Sequence, residues 1–258
     1  MNQERKRLRL SMSSRGLRIW GLLFLMAGMF GRGIVQNVLL NVDSISMEQI
    51  SELMQIDPNV LKYSTMAVIF QGIETMAVPI FAFLLVEGFR HTSNFKAYIT
   101  RVLIAAVIAE IPYNLMTTGN IFELTTRNPA FSLVFSLIVM LFFKQYEGNS
   151  VKNIMSKCVV VIGALLWMML LGIQNGIPVV IMVVVLWVFR ASRNKQVIFG
   201  IVACIFCGFM SPYYYTSALG MVMLLLYTGE RGYEINKWVN YLAYPVLLLV
   251  VGVAAKFM

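Results

Sequence analysis

Apolar segments recur along this chain at a spacing that leaves room for little else. They run over about residues 17–40, 65–89, 96–116, 130–146, 155–171, 176–189, 197–210, 213–227 and 238–256. A helix that crosses a bilayer needs about 20 mostly apolar residues. Strands of a membrane barrel alternate apolar and polar positions, and these runs are continuously apolar. The expected fold class is therefore all-α: a polytopic transmembrane helix bundle of about nine helices. The segments at 176–189, 197–210 and 213–227 are short, and are expected to be tilted, re-entrant or paired as hairpins. Composition agrees, since only 13% of the 258 residues are charged and 59% are hydrophobic. Soluble domains carry roughly 25% and 45–50%. So few charges cannot cover a soluble globule, but they suffice where lipid covers the surface. The reading is one transmembrane domain at 17–258 behind a basic N-terminal segment at 1–16.

Charge sets the expected orientation, because Lys and Arg accumulate on the cytoplasmic side. One side gathers Arg5, Lys6, Arg7, Arg9, Arg15 and Arg18, then Arg90, Lys96 and Arg101. It also gathers Lys144, Lys152 and Lys157, then Arg190, Arg193 and Lys195, then Arg231 and Lys237. These are seventeen of the 21 basic residues. The other side holds Lys62, Arg127 and Lys256, and Arg32 lies within the first apolar segment. The N-terminus is expected in the cytoplasm and the C-terminus outside. The net charge of +9 then reads as a topology signal, with anionic lipid heads as a further partner of the basic N-terminus, and not as a nucleic-acid footprint. The first apolar run is too long for a signal peptide and no Ala-x-Ala-like site follows it, so it reads as an uncleaved anchor.

Cys158, Cys204 and Cys207 suggest no disulfide framework. Cys204 and Cys207 form a C-x-x-C inside an apolar segment, with no His or acidic residue near in sequence, and read as packing residues. No metal site is expected. No P-loop, dinucleotide fingerprint, EF-hand loop or His-Glu-x-x-His is present. The polar stretch at 41–62 is acidic, and a short amphipathic helix is expected around 46–55 with Ser46 as its cap.

Charges at membrane depth are costly, so each is a candidate functional residue. At 1.5 Å per residue, Arg32, Glu74 and Glu110 all fall in the outer half of a bilayer roughly 30 Å thick. They form an expected intramembrane polar cluster, in which Arg32 pairs with Glu74, Glu110 or both. A plain structural ion pair that fixes helix register is the competing reading. Glu87, Arg90, His91 and Arg101 form a second group near the inner face. There, interfacial side chains reaching for water are the competing reading. His91 is the only histidine. It falls in a short loop, where a solvated residue competes with a general base.

Residues 78–114 carry a resemblance. The run reads Val-Pro-Ile-Phe-Ala-Phe from Val78, then Glu87-Gly88-Phe89, His91-Thr92, Tyr98 with Arg101, and Glu110-Ile111-Pro112-Tyr113-Asn114. This resembles the TraX family of bacterial membrane proteins, which shows Phe-Pro-Ile-Phe-Ala-Phe, Glu-Gly-Phe, His-Thr, Tyr-x-x-Arg and Glu-Ile-Pro. Fainter echoes lie at Asn128 to Leu133, Tyr227 to Gly232 and Tyr244-Pro245. The sequence also departs from the family pattern. Gly28 and Met29 stand where members carry Asp-His, and Glu74 and Thr75 where they carry Gly-Arg. Val246, Leu247 and Leu248 follow Tyr244-Pro245, where members carry a His.

The resemblance implies a membrane acyltransferase of the bacterial cytoplasmic membrane, with acetyl-CoA as donor substrate and no bound cofactor. The acceptor would be a pilin-like protein or a surface glycan. Acyl transfer benefits from a group that takes a proton; on this reading Glu87 or His91 is the catalytic base. Arg90 and Arg101 would bind the donor phosphates. Two other readings stay open: a catalytically degenerate relative that serves as a membrane partner or subunit, and a transporter with Arg32, Glu74 and Glu110 along its path.

Overall fold

The computed structural model describes residues 11–41, 46–230, 232 and 236–257. Arg5, Lys6, Arg7, Arg9, Arg231 and the Lys237 side chain, all counted in the charge asymmetry, lie outside the described residues.

The regular elements among the described residues are all helical. Helix α1 (Ser14–Phe30) starts on Ser13, whose hydroxyl accepts from the Gly16 N–H; this satisfies a donor that the first turn leaves free. It runs directly into a π-helix at Gly31–Leu39. Helix α2 (Met47–Ile56) opens with a full capping box between Ser46 and Gln49, where the sequence placed a capped amphipathic helix. Helices α3 (Pro58–Thr75) and α4 (Ala77–Arg90) form one span of 33 residues, broken at Met76. Pro79 explains the break, since it has no N–H to return to the preceding turn. Helix α5 (Phe95–Thr118) starts on Asn94 and ends at Gly119, whose φ of 71° needs a residue without a side chain.

The remaining helices are α6 (Ala130–Gln145), α7 (Val151–Leu170), α8 (Gly176–Val188), α9 (Arg193–Gly208), α10 (Ser217–Met223) and α11 (Lys237–Phe257). Each of the nine apolar segments falls on one helix or on two or three consecutive helical pieces. Among the described residues five spans are long and apolar enough to cross a membrane, and α6 and α8 are shorter apolar helices. Large apolar side chains such as Val107, Val159, Leu166 and Phe206 stay exposed on the outer faces. A water-soluble surface rarely presents so much of them. The chain is a multi-pass membrane protein.

The segment at 213–227 departs from a plain helix. It is a 3-10 turn at Pro212–Tyr215, then α10, then a second 3-10 turn at Leu224–Leu226. The Thr216 and Ser217 hydroxyls donate to the Tyr213 and Tyr214 carbonyls. Such local bonds compete with helix continuation. A side chain at Gly220 would meet the Met76 carbonyl and Pro79, so α10 lies backbone to backbone against the break in α3–α4.

The main core packs α4, α6 and α8 around Phe83, Val86, Leu137, Met140, Val183 and Leu186. Helix α8 is apolar on every face and sits inside the bundle, as such a helix must. A smaller cluster of Met29, Ala109, Tyr113, Met116, Leu248 and Val251 joins the first span to α5 and α11. Opposite ends of the bundle are tied separately. The Met12 N–H donates to the Leu226 carbonyl at one end, and Asn37 donates to the Met116 and Thr117 carbonyls at the other.

Candidate functional site

The break at Met76 and the π-helix together position a buried ion pair. Arg32 lies in the π-helix and Glu74 one residue before the end of α3. The Arg32 Nη2 donates to Glu74 Oε2 at 3.0 Å. Glu74 is buried, at 8% exposure. Its approach depends on Gly28, because a side chain there would collide with the Cβ, Cγ and Oε2 of Glu74. The neighbouring Thr75 donates its hydroxyl to the Tyr213 carbonyl, which ties the break to the 3-10 turn at Pro212–Tyr215.

Glu74 lines a cavity of about 550 Å³. Its walls come mainly from α1, α4, α5 and α11, with contributions from α6 and α8. At the end of the bundle where α1 begins, it is bounded by Arg15, Arg18, Glu87, His91, Arg101, Gly229 and Gly232. His91 and both glycines are exposed there, so this end is the mouth. Leu22, Leu25, Phe81, Leu84, Val102 and Leu133 line the middle. The inner end carries Glu74, Asn175 and Tyr244.

The mouth is lined by Arg15, Arg18 and Arg101. Arg15, Arg18 and Arg101 have no carboxylate partner among the described residues. The Arg101 guanidinium faces the Tyr241 ring at 5.9 Å, and its Nε is buried with no hydrogen-bond partner among the described residues. Buried donors are nearly always satisfied, so this one marks a place for an acceptor that the described residues do not supply. Glu87 is engaged on its own helix: Arg90 donates to it at 2.7 Å and the His91 Nδ1 lies 3.9 Å from its Oε2. The His91 Nδ1 lies 2.8 Å from the Glu87 carbonyl. The other ring nitrogen is thereby left outward, on a side chain 54% exposed.

The residues singled out in the sequence therefore separate into three places. Glu87, His91 and Arg101 meet at the cavity mouth. Arg90 does not line this cavity. It turns to a second pocket of about 240 Å³ with Lys144, Trp187 and Arg190. Arg32 and Glu74 meet at the inner end, but Glu110 is not with them. Glu110 binds Arg127 at 3.2 Å, together with the Asn128 backbone N–H and side-chain amide. Asn128 is fully buried and also donates to the Ala106 carbonyl. The charge that neutralises Glu110 thus comes from the loop before α6, counted in the sequence only as an outer-side cation.

Arg15 and Arg18 were read in the sequence for topology alone; their position in the first turns of an apolar helix was the available signal for a site. Asn175 and Tyr244 are neutral and carry no spacing pattern, so only the fold brings them to Glu74.

A polytopic helical membrane protein built around a deep cavity with a cationic mouth and a buried carboxylate is the class that this architecture defines. The family described as TraX protein matches residues 52–255, most of the chain, and the chain belongs to the TraX family. No curated protein and no solved structure matches it.

Proposed function

We propose that the chain is a membrane acyltransferase that takes an acetyl-CoA donor through the cationic mouth. The observation that carries this reading is the set of arginines there without a carboxylate partner among the described residues, above all Arg101 with its orphaned Nε. Arg15, Arg18 and Arg101 bind the phosphates of the donor, a task suited to the planar fork of the guanidinium. Glu87 and His91 sit at the rim beside that end of the donor, with Glu87 orienting His91 and Arg90. The apolar middle of the cavity accepts the pantetheine arm. The mouth faces the cytoplasm, where the donor is made, and the C-terminus lies outside the bacterial cytoplasmic membrane. That orientation follows from the seventeen basic residues gathered on one side. The acceptor is a pilin-like protein or a surface glycan.

A second reading has two observations in its favour. At Gly28, where relatives carry an acid, the space is filled by Glu74, and no histidine follows Pro245. On that reading the chain is a degenerate homologue that acts as a membrane partner. Detergent-purified protein decides between the two. The enzyme is stabilised against heat by acetyl-CoA and releases free coenzyme A over time; a partner protein does neither.

A further inference from the structure

The proposed acyl transfer leaves open which group receives the acceptor's proton, and depth in the cavity decides it. The phosphates are assigned to Arg18 and Arg101. From Arg18 to Gly28 the first helix rises roughly 15 Å, and from Glu74 to His91 the second span covers roughly 25 Å. A donor whose phosphates rest at the mouth carries its thioester on a long arm, so the reacting carbon lies well inside. His91 and Glu87 stay behind, beside the phosphates. Of the residues lining the cavity, Glu74 is the one carboxylate at the inner end among the described residues.

Its geometry suits the task. Arg32 holds Oε2 at 3.0 Å, while Oε1 has no hydrogen-bond partner among the described residues. Arg32 and the missing side chain of Gly28, whose place Glu74 fills, fix where the carboxylate stands. At the same end of the cavity, Asn175 accepts from the Tyr214 hydroxyl at 2.6 Å through Oδ1. That leaves its Nδ2 without a partner among the described residues. Asn175 holds φ at 55° at the start of α8, a conformation that Asn tolerates better than most side chains.

We infer that Glu74 is the base at the acyl-transfer centre, with Asn175 as the donor that steadies the thioester oxygen. The inference rests on the acyltransferase reading. In the step, Oε1 takes the proton from an acceptor amine or hydroxyl as its nitrogen or oxygen attacks the thioester carbon. The carbonyl electron pair moves to the oxygen facing Asn175 and then returns. The carbon–sulfur bond breaks, and the thiolate takes the proton back from Glu74. The products are the acylated acceptor and free coenzyme A.

The test uses the full chain in detergent, with acetyl-CoA as donor and water as acceptor, and follows thiol release alongside calorimetric donor binding. Glu74→Gln lowers the rate about 100-fold or more, within the range of a lost general base, and changes the donor Kd by less than about threefold. Glu74→Asp recovers part of the rate. Gly28→Ala, which pushes the carboxylate aside, lowers the rate and leaves the Kd. Because Glu74→Gln strands Arg32, the neutral pair Arg32→Gln/Glu74→Gln is measured too. It shows the same rate loss with a melting temperature near wild type. His91→Ala lowers the rate less than tenfold. A Glu74→Gln protein within tenfold of wild type, or a larger loss in His91→Ala than in Glu74→Gln, overturns the inference and leaves the acyltransferase reading standing. A wild-type protein that neither binds acetyl-CoA nor releases thiol overturns both.

Discussion

The two ends of the cavity treat charge in opposite ways. At the inner end every charge is matched: Arg32 with Glu74, and nearby Glu110 with Arg127. At the mouth Arg15, Arg18 and Arg101 have no carboxylate partner among the described residues. The difference follows from solvent. Taking an ion out of water costs several kcal/mol after relaxation, so deep charges persist only with a partner. Near the bilayer surface, water and long flexible stems keep a lone arginine affordable. An inner charge is thus tied to the fold, while a mouth charge remains free to meet an anion. Stability should depend on the first and ligand affinity on the second.

The largest expected effect tests the inner end. Glu74→Ala leaves Arg32 buried without a partner and should cost about 3–5 kcal/mol of stability, read as thermal unfolding in detergent. Removing both charges as Arg32→Gln/Glu74→Gln should recover most of that. If Glu74→Ala melts like wild type, the pair is not what holds the break of α3–α4 against α1. Next comes Asn128→Ala, which removes a buried amide that serves Glu110, the Ala106 carbonyl and the Ala130 N–H. Its expected cost is about 1–3 kcal/mol, and hydrogen exchange should show faster opening where α5 meets α6.

The mouth should respond in the reverse sense. Arg101→Gln should change stability by less than about 0.5 kcal/mol and weaken acetyl-CoA about tenfold. Arg90→Ala sharpens the contrast, because Arg90 faces the second pocket and its ion pair with Glu87 is half exposed. It should shift both melting temperature and donor Kd only marginally, as exposed pairs do. Equal effects of Arg90→Ala and Arg101→Ala on donor binding would erase the distinction between the two pockets.

Much of the fold was legible in the sequence. The apolar segments, the capped helix after Ser46 and the alternation of the basic residues reflect local rules of length, capping and charge. The interruption of 213–227 was not legible as such: it lies where the Thr216 and Ser217 hydroxyls bond back to the Tyr213 and Tyr214 carbonyls, beside a contact of Gly220 with the Met76 carbonyl that joins two backbones far apart in sequence. The candidate site was legible in part. Helix depth alone put Arg32 level with Glu74 and Glu110, but depth carries no azimuth. Which carboxylate faces Arg32 depends on the π-helix that turns it and on Gly28, which lets Glu74 approach. The same blindness placed Arg90 with Arg101, though one residue of rotation between Arg90 and His91 sends them to different pockets.

Calorimetric titration of the purified protein with acetyl-CoA tests the central claim, that the mouth arginines form an anion site. The account predicts saturable binding by wild type, weakened by salt because screening shortens the reach of surface charge to about 3 Å at 1 M. It predicts binding at least tenfold weaker in Arg18→Gln/Arg101→Gln at an unchanged melting temperature. Absence of binding heat in wild type, or equal affinity in the double variant, would contradict it.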